Sequence, residues 1–336
     1  MAFGPRDAFK KPVGLARDRL GALYLTTPEV DRPKEDAKYA VAKLHPTAVV
    51  TVYAENLEKP QGLAFDQDGH LYVADGSSGR VLRFLAPRPP TLNAEEFINH
   101  SPLEVTGTTL SGARVDLFVN DALTPTTVTT DSAGAFSASI TVTSNASNTL
   151  EVFATSHAGH GLTSRPAEVT ILHDDSPPMV KFVQPAPSAY VRQTVTVQAQ
   201  ASDANKVASL TLSADAQALT ATLTPTLPPP AASVTARASF NTRTVPDGTH
   251  TLGATATDQA GNTATATRVV IVDNSPPDTF ITGSPSGEIN VPTATFSFSG
   301  ADNLTPVSNL QFAWRLDGGA FTPFTLVTTA SFSGLA

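Results

Sequence analysis

The sequence has 336 residues, of which 40% are hydrophobic and only 15% are charged, and its net charge is −8. This length suits two to four domains, each able to bury its own apolar core. An acidic chain without clustered Lys and Arg is not expected to bind nucleic acid, because phosphate contacts need basic side chains. Cysteine is absent, which excludes disulfide bonds and thiolate metal sites.

The hydrophobic residues are not gathered into long runs. No stretch of about 18 apolar residues occurs, so the sequence predicts no membrane-spanning helix. Residues 1–11 lack the continuous apolar segment of a signal peptide. Low charge combined with abundant Thr and Ser favours β-sheet faces over solvent-exposed helices. We therefore expect an all-β chain.

A repeated unit occupies the first quarter of the chain. Pro12 and Pro60 open two similar segments, PVGLARD and PQGLAFD, which lie 48 residues apart. The similarity continues through Gly21 and Gly69. Each unit is predicted to form a strand, a glycine turn, a second strand and, after a polar loop, a third strand.

The second copy carries the more specific motif. Residues 60–75 match the pattern P-x-G-(L/I)-A-x-D-x-x-G-x-(L/I)-Y-V-x-D, and the segment thereby resembles the NHL repeat, one blade of a β-propeller. The first copy departs from this pattern at Leu20 and Thr27 and has a longer segment at 28–40. The resemblance implies that residues 1–86 form two NHL-like blades of an incomplete propeller. Since a propeller closes with about four to eight blades, either further blades precede this segment or it packs on its neighbour.

A composition change follows the repeats. Residues 87–93, which begin with PRPP, are expected to form an extended, Pro-rich linker. From residue 94 to residue 174, apolar and polar side chains alternate with a period of two, which predicts the strands of a β-sandwich. Residues 131–134 are predicted to form a hairpin turn. The apolar faces predict one shared core that includes Val115, Leu117, Phe136, Ile140 and Val152.

A second repeat marks the later boundaries. The junction DDSPP at 174–178 returns as DNSPP at 273–277, 99 residues later, which is a typical sandwich length. The phrases DGTH at 247–250 and ATDQAGN at 256–262 resemble those of bacterial Ig-like domains. The resemblance covers about residues 90–336 and implies tandem Ig-like sandwiches at 175–275 and 276–336, of which the last is expected to lack its final hairpin.

Acidic residues gather at these junctions. Carboxylate oxygens from adjoining modules would suit Ca²⁺, which takes six to eight oxygen ligands. The candidate ligands are Asp174, Asp175 and Asp203 near the first junction and Asp273, Asp278 and Asp302 near the second. Asp258 lies at a nearby domain end. The alternative is that these acids are solvated turn residues.

Other chemistry-bearing residues favour structural interpretations. His157 and His160 flank a glycine in a loop between strands, which does not fix zinc geometry, so a polar loop is expected. Asp66, Asp68 and Gly69 lack the further acids of a calcium loop and are expected to form a β-turn. Trp314, the only tryptophan, is expected in a sandwich core, with a sugar-stacking platform as the alternative.

These features together predict a non-catalytic, modular structural or adhesion protein. The Ig-like modules would act as a stalk or binding spacer, located outside the cell or on its surface, with a protein or carbohydrate ligand that the sequence does not identify. Two alternatives stay open. The chain is a fragment of a secreted propeller enzyme or carbohydrate-binding protein whose active part lies elsewhere, or it is a subunit of an extracellular fibre.

Overall fold

The computed structural model describes residues 12–27, 39–287 and 290–335. The chain divides into two compact units, Met1–Ser176 and Pro177–Ala336. The described residues form 26 strands and three short 3₁₀ segments, and none of them lies in an α-helix. The all-β prediction is therefore confirmed. In this part of the chain no helix is long and apolar enough to cross a membrane.

The first unit begins with two small antiparallel sheets, one for each repeat. Their strands are β1 (Leu15–Arg17), β2 (Leu23–Thr27), β3 (Tyr39–Leu44) and β4 (Val50–Leu57), in the order β1-β2-β3-β4, and β5 (Pro60–Phe65), β6 (Leu71–Asp75) and β7 (Arg80–Phe84), in the order β5-β6-β7. Gly21 and Gly69 occupy the equivalent turns with φ of +87° and +85°, a conformation that favours glycine. The predicted strand, turn and strand arrangement is present in both copies.

The two sheets, which we call the first and second blades, share a core that includes a residue from the module that follows. Tyr24, Val41, Leu71 and Val73 are buried together with Leu162, which is 1% exposed. The blades thus pack on their neighbour within the same unit, which is one of the two arrangements that the sequence left open.

The neighbour is a two-layer sandwich. Its strands are β8 (Thr91–Asn93), β9 (Phe97–Ile98), β10 (Leu103–Thr108), β11 (Arg114–Val119), β12 (Thr126–Thr129), β13 (Ala135–Ile140), β14 (Ser147–Thr155) and β15 (Ala167–His173), in two sheets of order β13-β10-β8 and β12-β11-β14-β15-β9. All five core residues predicted from the alternation lie in one buried cluster, so the predicted strand register is confirmed.

Two local predictions need correction in this module. Strand β8, Thr91–Asn93, lies within the predicted linker, but it pairs with β10 because its backbone completes the edge of that sheet. Residues 131–134 do form a turn, closed by the Asp131 amide on the Ala135 carbonyl at 2.9 Å. This turn leads from β12 in one sheet to β13 in the other, so it is a corner between layers and not a hairpin.

The second unit contains the most extensive sheet. Its strands are β16 (Met179–Gln184), β17 (Ala189–Val191), β18 (Thr194–Ala214), β19 (Gln217–Leu219), β20 (Ala221–Thr224), β21 (Ala231–Asn241), β22 (Gly248–Asp258) and β23 (Thr263–Val272). The order is β17-β23-β22-β18-β21-β20, and β16 and β19 pair with β18. The first half of β18 pairs with β21 and the second half with β22, with a register shift between Ser202 and Val207. This strand therefore contributes to both layers of the sandwich.

The rest of the second unit is a three-stranded sheet. Its strands are β24 (Asp278–Gly283), β25 (Thr293–Ala301) and β26 (Thr329–Ser333), in the order β24-β25-β26. The pairing of Asp278 with Ala301 repeats the pairing of Met179 with Ser202, 99 residues earlier. This sheet is thus the counterpart of β16, β18 and β21, and we call residues 278–335 the third segment.

Candidate functional site

The acidic residues predicted near the first junction belong to two different units. In the first unit, Asp174 is buried, and its Oδ1 accepts the Ser176 amide at 3.0 Å. Asp175 is exposed, and its amide donates to Asn145 Oδ1 at 2.9 Å. These contacts secure the turn that ends β15. They are the local hydrogen bonds that Asp and Asn form in turns.

In the second unit, Asp203 lies beside Asp258. Their carboxylate oxygens approach within 4.8 Å. Asp203 Oδ1 accepts the Asn205 amide at 2.7 Å, and Asp258 accepts the backbone amide and the side-chain amide of Asn262 at 2.9 and 2.8 Å. The hydrogen bonds between Asp258 and Asn262 close the turn between β22 and β23, so the AGN phrase has a structural role.

The acids predicted near the second junction are only partly brought together. Asp273 and Asp302 are close enough to influence each other, whereas Asp278 is exposed at the start of β24, in register with Ala301. Asp302 Oδ2 accepts the amides of Leu304 and Thr305 at 3.0 and 2.7 Å. Asp273 Oδ1 is buried and makes no hydrogen bond within the described residues.

A further carboxylate in this cluster, Asp247, was not singled out as a ligand. It accepts hydrogen bonds from the Asn274 amide at 2.8 Å, from the Ser275 amide and hydroxyl at 3.1 and 2.6 Å, and from the Asn303 side chain at 2.9 Å. Asp247, which directly precedes β22, thereby contacts both the residues that follow β23 and Asn303 of the third segment. The DG dipeptide marks its position in the sequence, but its partners are distant along the chain.

The pKa values in this cluster reflect that arrangement. The hydroxyl of Ser275, the amide of Asn274 and the side chain of Asn303 lower the pKa of Asp247 to about 2. The backbone amides of Thr305 and Leu304 lower the pKa of Asp302. Burial raises the pKa of Asp273, and the nearby charges of Asp302 and Asp247 raise it further. Asp273 is therefore the carboxylate of this group that a proton or a cation would satisfy.

A cavity of about 370 Å³ lies beside Asp273 and Asp302. Tyr190, which is 58% exposed, and Arg192 also line it. An aromatic ring, a guanidinium and two carboxylates give this cavity a mixed polar surface.

The third segment has a second cavity of different character. It measures about 280 Å³ and is lined mainly by apolar side chains, among them Phe296, Trp314 and Phe332. Trp314 is half-buried, and its ring centroid lies 5.4 Å from that of Phe298. Trp314 thus packs against the apolar cluster of this sheet, as the core interpretation predicts, while one side of it borders an open groove.

The loop that carries His157 and His160 has a role that the sequence did not predict. We call residues 156–164 the docking loop, because its Leu162 enters the blade core. Lys43, which is 2% exposed, donates to the carbonyls of Gly159 and Gly161 at 3.2 and 2.7 Å. The two glycines in the motif HAGHG were a signal of close backbone approach, but the buried lysine that they face lies 116 residues away along the chain.

The histidine of the DGTH phrase holds a turn in the second sandwich. His250 Nδ1 lies within hydrogen-bond distance of Asp215 Oδ2, and its Nε2 lies 2.8 Å from the Pro246 carbonyl. Burial opposes the charged imidazole, but Asp215 and the Pro246 carbonyl outweigh it and raise the pKa of His250. The hydrogen bond from His250 in turn lowers the pKa of Asp215. His250 thus connects the Asp215 carboxylate to the Pro246 carbonyl through its two ring nitrogens.

Comparisons with solved structures find similar strand arrangements at low identity. Fibronectin(III)-like modules of Clostridium thermocellum CbhA are 18% identical, with 55% of this chain and 92% of that chain covered and a TM-score of 0.35. An endo-beta-1,4-mannanase from Thermotoga petrophila is 18% identical, with 30% and 20% covered and a TM-score of 0.25. Titin domains A168–A170 are 11% identical, with 75% and 89% covered and a TM-score of 0.28. At these scores the similarities carry no information about function.

Comparison with curated proteins finds no match. Family models do match separate parts of the sequence. A model described as NHL repeat matches residues 57–84, and models described as bacterial Ig domain match residues 86–173 and 178–256. The chain therefore contains an NHL repeat followed by two bacterial Ig domains, in agreement with both resemblances drawn from its motifs.

Proposed function

We propose that this chain is part of a non-catalytic extracellular or cell-surface protein in which the Ig modules act as a stalk or adhesive spacer. The observation that carries the proposal is the presence of two successive bacterial Ig domains, each with its own buried apolar cluster. Modules with separate cores fold as units and can be strung along a chain. Bacterial Ig domains are typical of extracellular proteins.

The polar residues described above support a structural role. Lys43, Asp247 and His250 each contact backbone or side-chain groups from distant parts of the chain. Their shifted pKa values have structural causes, namely burial and hydrogen bonds within the fold. Groups used in this way stabilise the modules and do not need a substrate to explain them.

The location is tested on cells that express the parent protein. Antibodies raised against the purified chain are applied to intact cells, to lysed cells and to the culture medium. We expect labelling of intact cells or recovery from the medium. Labelling that requires lysis would contradict an extracellular or surface location.

The spacer role is tested by stretching the purified chain in a single-molecule force experiment. A stalk of independent modules should unfold in separate steps, each releasing about 300 Å for a module of about 90 residues. Unfolding of the whole chain in a single step would argue against independent modules. Saturable binding of a polysaccharide, read from Trp314 fluorescence, would instead favour the carbohydrate-binding alternative.

A further inference from the structure

The contact between the blades and the docking loop contains an unusual set of titratable side chains. His45 follows β3 in the first blade, and His160 lies in the docking loop. Their ring centroids are 5.7 Å apart and the ring planes meet at 85°. His45 Nε2 also lies 3.1 Å from Thr51 Oγ1. Because the two histidines come from different modules, positive charge on both would repel the modules from each other.

The surroundings of His45 add more positive charge. Lys43 from β3 and Arg114 from β11 both act on it together with His160. Burial lowers the pKa of Lys43 to about 8, which leaves the ammonium group charged at neutral pH and below. A proton on His45 would therefore join a group that already holds two cations.

Two carboxylates lie beside these cations. Asp116 pairs with Arg114 at 2.8 Å and accepts the hydroxyl of Thr127 at 2.7 Å. Asp18 accepts the Ala22 amide at 2.8 Å through Oδ1, and its Oδ2 lies 4.0 Å from Lys43. These pairs offset part of the positive charge, and Lys43, His160 and Arg114 still act on His45 as cations.

The same contact fixes the backbone of the docking loop. The Tyr24 hydroxyl donates to the Gly161 carbonyl at 3.1 Å, alongside the two hydrogen bonds from Lys43. Gly69 of the second blade lies directly against Thr163, because a Cβ at that position would be 2.3 Å from the Thr163 carbonyl oxygen. Both blades therefore contact the docking loop, and release of this loop would separate the blades from the sandwich.

We propose that this contact is an acid-released lock, in which protonation of His45 beside His160, Lys43 and Arg114 frees the docking loop from the blades. The proposal does not rest on the spacer function, since it concerns the assembly of the first unit alone. Histidine pairs at interfaces are suited to such switching because they change charge near neutral pH.

The direction of the pH dependence follows from the titration of His45. Burial, together with the charges of Lys43, His160 and Arg114, lowers its pKa to about 4. In the released state the pKa returns to about 6.5. The docked state is therefore fully favoured above about pH 6.5 and loses stability as the pH falls toward 4. Because His45 is only half-buried, solvent screens part of this effect, and we expect a loss of roughly five- to tenfold in the docking equilibrium between pH 7 and pH 5.

Hydrogen exchange of the full chain, read by mass spectrometry, tests the proposal. Protection of residues 39–45 and 154–163 is compared with that of residues 194–202 in the second sandwich, which corrects for the intrinsic effect of pH on exchange. We expect protection in the first two segments to fall roughly five- to tenfold relative to the third between pH 7 and pH 5. An unchanged ratio would overturn the proposal.

Two variants and a second measurement separate His45 from other causes. His45→Gln should remove the pH dependence, whereas His100→Gln, at an exposed position of the first sandwich, should retain it. If His45→Gln shows the wild-type dependence, the lock is not at His45. Should His45→Gln fail to fold, an NMR titration of the wild-type histidines decides the matter, since a His45 pKa near 6.5 contradicts the proposal and one below about 5 supports it.

Discussion

The second sandwich and the third segment use the same pairing scheme but bury their sheets differently. Val197 and Ala199 in β18 are fully buried, in one cluster with Leu252 and Val270 of the opposing layer. At the equivalent positions 99 residues later, β25 carries Phe296 and Phe298. Small side chains are thus sufficient where a second layer covers the sheet.

The third segment covers its sheet with large side chains. Phe298 and Phe312 have ring centroids 5.3 Å apart, and Trp314 packs on the same cluster. This cluster leaves the groove of about 280 Å³ open and keeps Phe332 only half-buried. The difference teaches that an aromatic cluster on one sheet replaces part, but not all, of the burial that a second layer provides.

The largest effect is expected for Phe136→Ala in a two-layer module. Phe136 is 6% exposed in the core of the first sandwich, and its removal should lower the free energy of unfolding by about 3–5 kcal/mol. Hydrogen exchange of amides in β10 and β13 measures the change. A loss within about 0.5 kcal/mol, the usual range for surface positions, would show that this side chain is not a core residue.

The next largest effect is expected for His250, whose contacts hold the DGTH turn. His250→Gln should reduce the stability of the second sandwich by about 1–2 kcal/mol, because the hydrogen bond to partly exposed Asp215 is lost. The raised pKa of His250 means that its contribution is complete below about pH 6.5 and disappears as the pH rises through the folded pKa. This dependence is opposite in sign to that expected for His45. In wild type the free energy of unfolding of the second sandwich should be lower at pH 8 than at pH 6. An equal decrease in His250→Gln would exclude His250 as the cause.

Most of the fold follows from the sequence because alternation and turn residues are local signals. The five core residues of the first sandwich were predicted correctly on that basis. The docking loop was not predicted, since its role depends on Lys43 and Tyr24, which are more than a hundred residues distant. Local alternation also does not reveal which sheet a strand joins, as the corner at residues 131–134 shows.

A smaller effect is expected for Phe332→Ala in the third segment. Half-buried Phe332 should contribute about 1 kcal/mol, less than Phe136 by a factor of three or more. Wild-type amides in β25 should also exchange faster than those of β18 at the equivalent positions, because only one layer protects them. Equal protection of the two strands would remove the distinction drawn between the two regions.

The smallest effect is expected for calcium, whose predicted sites at Asp174, Asp175, Asp203, Asp273, Asp278 and Asp302 stay a prediction. At the end of the second sandwich, Asp247 already accepts four hydrogen bonds and Asp302 Oδ2 accepts two. Of these three carboxylates, only that of Asp273 retains a buried oxygen without a hydrogen bond within the described residues, so any affinity should be weak, with a Kd of about 1 mM.

Calorimetric titration of the chelator-treated chain measures this binding. At about 3 mM Ca²⁺ such a site would stabilise the second unit by about 0.8 kcal/mol. Binding should weaken at low pH, because the raised pKa of Asp273 lets protons compete with the cation. Asp273→Asn should abolish the heat signal, whereas Glu95→Gln, at an exposed position in the first unit, should leave it unchanged. If wild type gives neither heat nor a shift in Tm at this concentration, these acids serve only as turn residues, and the hydrogen bonds of Asp247 hold the junction after the second sandwich without a cation.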